Sequence, residues 1–373
     1  MSTVAPLLDG TVVASAATTL VVAPRVLRAG ARPPGRGRTI GPEAPLAAVV
    51  ALILLNQVLV AVYVNRVHGG DPSFIARYLP PGWFDVPRLD ALAAHVPAPE
   101  LLAPSVLRVQ AFLELPLVLL AFVSVVRRLD GALYVRLARS PLLPLAAVSY
   151  TAAFCAVEWD LRNPYTVDDL VLRVLSAAVT PPLIAWTARR EPASDTAAPA
   201  RGNPFLFALD LWAYGQLMLV LYDTALLYNL ARLGDHLLPA AAATAVLVAT
   251  RLAARSAAPR TGPHTAALTA TIGRALALLL VPALAIRYAE SFGTPRLAVL
   301  AGLLVIGAAL RRDAPRLLMP AVAGAAVGYL IAVLVPGPYY EATLLRSATG
   351  ALLAATALCA LLDTTRARLV VRS

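Results

Sequence analysis

The segment FCAVEWDLRNPYTVDDL, residues 154–170, gathers Glu158, Asp160, Asp168 and Asp169 around Arg162 in a stretch that begins as an apolar helix. Four carboxylates within 12 residues repel one another unless an arginine pairs them, a cation bridges them or one keeps its proton. The chemistry open to such a group is a divalent cation held by two or three of the acids, or a general acid with a raised pKa. Part of the cluster is punctuation, because Asn163-Pro164 breaks a helix and Thr166 or Asp168 can cap the next one. Capping does not need all four acids. The excess nominates Glu158 and Asp160 as catalytic groups and Arg162, Asp168 and Asp169 as substrate-binding ones.

A second source of chemistry is the set of acids placed inside apolar runs, where an ionisable group is costly and retained for a purpose. Glu114 lies in RVQAFLELPLVLL, one helical turn from Gln110. Asp210 and Asp223 lie in FALDLWAYGQLMLVLYDTALLYNLARL, where Trp212, Gln216 and Asp223 fall on one stripe. Such faces must turn to the bundle interior, either as hydrogen-bonded glue between helices or as a proton relay or substrate wall. Glu114 and Asp223 are the two carried forward as substrate-binding candidates.

Arginines supply the third clue. Arg162, Arg173, Arg287 and Arg296 fall at or near the ends of apolar runs, with Tyr288, Tyr339 and Tyr340 at similar depth. A guanidinium holds phosphate through two parallel hydrogen bonds, so Arg162, Arg287 and Tyr288 are candidates for a phosphate-bearing lipid. The competing reading is that Arg162 and Arg287 only neutralise nearby acids, Glu158 and Asp160 for the first and Glu290 for the second.

Asp71 follows His68-Gly69-Gly70 directly after an apolar run and opens a long connection, 66–104. Two pieces of that connection, 72–79 and 87–96, have the pattern of short amphipathic helices lying on a membrane, with Tyr78, Trp83 and Phe84 suited to the headgroup layer. An acid in the first external loop followed by a juxtamembrane helix resembles the architecture of GT-C glycosyltransferases, which use polyprenyl-phosphate sugars. The resemblance covers the first third of the chain. It implies that Asp71 is the base that acts on the acceptor hydroxyl. The chain is shorter than most members of that family and lacks their soluble C-terminal domain.

The elements that must position these groups follow from composition. With 59% hydrophobic and only 14% charged residues, the chain is far from the soluble average, in which charged residues are about a quarter. The apolar residues come in separated runs of about 17 to 25, the length of a membrane-crossing helix. The expected fold is therefore all-α, a polytopic integral membrane helix bundle forming a single domain over 1–373. Ten transmembrane helices are expected, near 46–65, 105–126, 142–159, 170–187, 204–231, 237–254, 267–287, 297–311, 317–335 and 343–363. The run at 4–24, which carries Asp9, Ser15 and three threonines, would be an eleventh.

All 32 basic residues are arginine, which with the abundance of Ala, Leu, Val and Pro points to a high-GC, actinobacterial type of genome. Their placement sets orientation, since cytoplasmic loops collect positive charge. Twenty-one lie in 25–39, 127–140, 187–203, 250–264, 311–316 and 364–373, whereas ten flank the opposite loops. This predicts a cell-membrane protein with a cytoplasmic C-terminus and Asp71 outside. The formal charge of +11 is spread over short loops, so it reads as topology and not as a nucleic-acid surface.

Other chemistries are disfavoured. The histidines at 68, 95, 236 and 264 show no metal-binding spacing, and Cys155 and Cys359 form neither a CxxC pair nor a zinc motif. GxGxxG, Walker A, GxSxG and DDxxD sequences are absent. Four function classes stay open: an outward-facing lipid-linked glycosyltransferase with a membrane-borne lipid substrate, an intramembrane acid-initiated cyclase or isomerase, a proton-coupled transporter or flippase, and a non-catalytic scaffold. A divalent cation is the one cofactor the acids suggest.

Overall fold

The computed structural model describes residues 4–28, 40–71, 73, 91, 94–96, 98, 103–161, 166–190, 203–221, 233–256, 262–280, 302–304, 307–311, 313–337 and 340–372. Among these residues the chain is helical and contains no strand. The principal helices are α1 (Val4–Arg28), α2 (Glu43–His68), α3 (Ala103–Leu129), α4 (Gly131–Ala138), α5 (Leu142–Leu161) and α6 (Thr166–Arg189), followed by α7 (Pro204–Leu221), α8 (Leu233–Ala254), α9 (Pro263–Leu279), α10 (Ala314–Leu334) and α11 (Tyr340–Arg372).

Among the described residues seven stretches are long and apolar enough to cross a membrane: Glu43–His68, Val109–Leu129, Thr166–Arg189, Pro204–Leu221, His236–Ala254, Ala314–Leu334 and Thr343–Val370. Gly131–Ala138 and Leu142–Val157 form a pair bent by 66°, which passes the same length and composition test only when the two are taken together. These helices fit a multi-pass membrane protein. The sequence led to an expectation of ten. Of the remaining expected spans, the one near 267–287 is described only up to residue 280, where α9 is 17 residues long. The span near 297–311 is described only as short pieces, and the connection 72–104 lies almost entirely outside the described residues. The span expected at 142–159 gains a preceding element, because Asp130 caps α4 by accepting the Leu133 N–H at 3.0 Å. The break at Ser140-Pro141 then turns the chain into α5.

A core of buried residues lies where α2 to α5 meet, around Ile53, Leu117, Leu119, Leu120, Val123, Tyr134, Leu137, Leu142, Leu143 and Tyr150, with Ile184 of α6 closing it. Proline interrupts α3 at Pro116 and α6 at Pro181-Pro182, which spanning helices tolerate when neighbours satisfy the freed carbonyls. Helix α10 approaches α11 closely at Gly324 and Gly328. A Cβ added at Gly324 would come 2.7 Å from the Ala351 carbonyl oxygen, so small residues set this helix separation.

Helix α6 is inside-out by the standards of a soluble protein. Val167, Val171, Val174, Leu175 and Val179 are exposed, while Arg173, Ser176, Thr180 and Thr187 are buried. The apolar face therefore turns to lipid and a polar stripe at helical spacing turns inward. Ser176 donates to the Phe112 carbonyl of α3 at 2.6 Å, and Thr187 meets the Tyr134 hydroxyl of α4 at 2.6 Å. Chain direction places the end of α2, the end of α5 and the start of α6 at one end of the bundle. The starts of α2 and α7 and the end of α3 lie at the other.

Candidate functional site

The first end is built from the close of α2. Gly69 adopts the left-handed conformation (φ 59°), which a residue with a Cβ avoids. The turn brings the Gly70 N–H to the Val64 carbonyl at 3.1 Å and the Asp71 N–H to the His68 carbonyl at 3.1 Å. Asp71 thus projects just past the membrane-long helix, exposed to solvent. One of its carboxylate oxygens accepts the Ser73 N–H at 2.9 Å, and the other accepts the Ser73 hydroxyl at 2.8 Å. The Ser73 backbone N–H, then its hydroxyl, hold the Asp71 carboxyl below its ordinary value, because both favour the anion. One turn back, the His68 ring stands edge-on to Tyr63, with Nε2 3.2 Å from the phenol oxygen.

Glu114 and Asp210, read from sequence as acids at membrane depth, are both buried, and each faces an arginine. Arg173 Nη1 donates to Glu114 Oε2 at 2.7 Å, with both side chains less than a tenth exposed. The Arg173 guanidinium also lies over the Phe154 ring, 3.8 Å from its centroid, so α3, α5 and α6 converge on one charge. One turn along α3, Gln110 is fully buried; its carbonyl oxygen receives the Asn56 amide of α2 at 3.5 Å, and its own amide nitrogen has no hydrogen-bond partner. The seam Asn56, Gln110, Glu114, Arg173 therefore joins α2, α3 and α6, and Phe154 adds α5 beside the guanidinium.

At the opposite end, Arg128 donates through Nε to Asp210 Oδ2 at 2.7 Å and through Nη2 to Oδ1, while its guanidinium rests on Tyr214, 4.9 Å from the ring centroid. Arg127 Nη1 reaches both Glu43 oxygens at 2.8 and 2.9 Å. Asp363 of α11 accepts the His264 and Thr265 N–H groups at the start of α9 at 2.9 and 2.8 Å and faces the His264 ring. Arg274 pairs with Asp313. Each pair ties two segments distant in sequence, so this end is laced by charge.

The other sequence candidates are distributed as follows. Asp168 is exposed and Asp169 half-buried in the first turn of α6, where carboxylates suit the positive end of the helix dipole. Glu158 and Asp160 belong to the last turn of α5, but their side chains lie outside the description. Arg162, Asp223, Arg287 and Tyr288 lie outside the described residues. Among the described residues no three His, Cys, Asp or Glu side chains come together as a metal site. The residues that sequence reading underrated are Arg173 and Arg128. Arg173 could have been found from the stripe it shares with Ser176, Thr180 and Thr187. Arg128 had no comparable signal, since it reads as one of two arginines ending a span.

No family model, curated protein or solved structure matches this chain.

Proposed function

We propose that this multi-pass membrane protein is an enzyme that transfers a glycosyl group from a polyprenyl-phosphate-linked donor at the Asp71 end of the bundle. The observation that carries the reading is Asp71 itself: an exposed carboxylate, oriented through both oxygens by Ser73, immediately beyond a membrane-long helix. In this reaction Asp71 takes the proton of the acceptor hydroxyl as that oxygen bonds to the anomeric carbon. The bond from that carbon to the donor phosphate oxygen breaks, and its electron pair leaves on the phosphate. The start of α6 carries Asp168 and Asp169 at the same end of the bundle; with Glu158, Asp160 and Arg162 of the same sequence cluster they are the groups proposed to bind acceptor, phosphate or a divalent cation. Arg287 and Tyr288 are proposed as further substrate-binding residues.

The laced opposite end supports entry from the Asp71 side, since four cross-links would have to break before a substrate could pass there. The cyclase and transporter readings instead use Glu114, Asp210 or Asp223 as proton carriers. In the folded protein Glu114 and Asp210 are instead ion-paired, with Arg173 and Arg128 respectively. The test is transfer of sugar from a polyprenyl-phosphate sugar to an acceptor by the purified protein. Asp71→Asn should lose it, and full activity in that variant would remove the assignment.

A further inference from the structure

The buried Arg173–Glu114 pair does not follow from the helix contacts that surround it. The core from α2 to α5 is aliphatic and closely packed, and a buried ion pair in such a setting is often no more stabilising than apolar residues of similar volume. Arg173 also stands at a particular depth. It is seven residues into α6, about 10 Å below the start of that helix at 1.5 Å per residue. Arg173 therefore lies in the half of α6 nearer the Asp71 end of the bundle.

We infer that Arg173 is the anchor for the phosphate of a lipid substrate and that Glu114 is a resident counter-ion which the incoming phosphate displaces. A guanidinium forms its strongest contacts with a planar pair of anionic oxygens, and phosphate offers these as well as carboxylate does. Phe154 holds the guanidinium plane from one face, so exchange of the anion need not move the arginine. The released carboxylate also has a destination. Gln110, one turn away on the same face of α3, keeps a buried amide donor without an acceptor, a group that costs about 1–3 kcal/mol while unsatisfied. The same seam therefore holds a cation whose anion can leave and a donor prepared to receive it. This inference rests on the lipid-phosphate substrate of the proposed function, and it concerns binding, not the transfer step.

The experiment is a titration of the purified full-length protein in nanodiscs with farnesyl phosphate, with farnesol and inorganic phosphate in parallel. Farnesyl phosphate should bind and farnesol should not. Glu114→Gln, which removes the competing carboxylate, should bind several-fold tighter, and Arg173→Gln should bind at least about tenfold weaker, the loss of one charge-assisted pair. Because either single change removes one side of the buried ion pair, the double variant Glu114→Gln/Arg173→Gln is the decisive one: it carries neither charge of the pair and should remain weak. Wild-type affinity in the double variant, or no binding by the wild type, would overturn the inference. Equal affinity for inorganic phosphate would overturn its lipid assignment. Binding without any sugar transfer would remove the glycosyl-transfer reading alone, whereas transfer with unchanged KM in the double variant would remove this inference alone.

Discussion

Arg128 grips Asp210 through two nitrogens, Nε at 2.7 Å from Oδ2 and Nη2 on Oδ1, joining the last turn of α3 to the second turn of α7 across 82 residues of sequence. Asp210 is only 1% exposed, so removing its partner strands a charge where water cannot reach it. Arg128→Gln should cost about 3–5 kcal/mol, the usual penalty for breaking one side of a buried pair. The double variant Arg128→Gln/Asp210→Asn should regain most of the loss. Thermal unfolding in detergent checks both, and equal melting temperatures for the single and double variants would contradict the coupling.

Ser73 determines how Asp71 responds to acid. Its N–H and hydroxyl bind the ionised carboxylate and lower its pKa, so the base form persists as pH falls and is lost only below the usual Asp value of about 3.9. The acid limb of the transfer rate should therefore lie below that value in the wild type. Ser73→Ala removes the hydroxyl and should move the limb upward, while Ser73→Thr should restore it. An unchanged pH–rate profile in Ser73→Ala would show that this contact does not set the base.

Gly324 fixes the spacing of α10 and α11. A Cβ there would meet the Ala351 carbonyl oxygen at 2.7 Å, a backbone atom that cannot turn aside. Gly324→Ala should destabilise the protein by about 1–3 kcal/mol, as overpacking does. Gly302, with nothing within 4 Å of an added Cβ, is the control, and Gly302→Ala should be neutral or slightly stabilising. Melting temperatures of the two variants should separate clearly.

The arginine distribution predicts opposite sides for two exposed residues, Ser73 after α2 and Arg139 after α4. With Cys155 and Cys359 replaced by alanine, Ser73→Cys should react with a membrane-impermeant maleimide in intact cells. Arg139→Cys should react only after permeabilisation. The reverse pattern would invert the proposed topology and move the Asp71 end to the cytoplasm.

Much of the architecture was legible in the sequence for one physical reason. A chain in hydrocarbon must satisfy its backbone hydrogen bonds within each segment, so an apolar run of membrane length has few options besides a helix. Boundaries were legible where special backbone chemistry marks them, at Gly69 after α2 and at Thr166 and Asp168 opening α6, whereas α4 with its Asp130 cap lies in a stretch that reads as a loop. Asp71 was legible for the same reason, since it stands at such a boundary. The 66° bend joining α4 to α5 was not, because the apolar residues on both sides of Ser140-Pro141 look alike in sequence.

The acids at membrane depth, Glu114 and Asp210, were visible in the sequence alone, because a carboxylate within an apolar run stands out wherever the helix lies. Their partners were decided only in the folded protein. Arg173 is 59 residues from Glu114, Arg128 is 82 from Asp210, and His264 is 99 from Asp363. Helical periodicity says which side chains share a face of one helix, but not which neighbour that face meets or how far each helix is rotated and shifted along its axis. Those choices come from packing: close approach at Gly324, the aliphatic core around Leu119 and Leu120, and the polar stripe of α6 turned away from lipid. Composition thus specified what must be buried, and tertiary packing selected which charge would meet which.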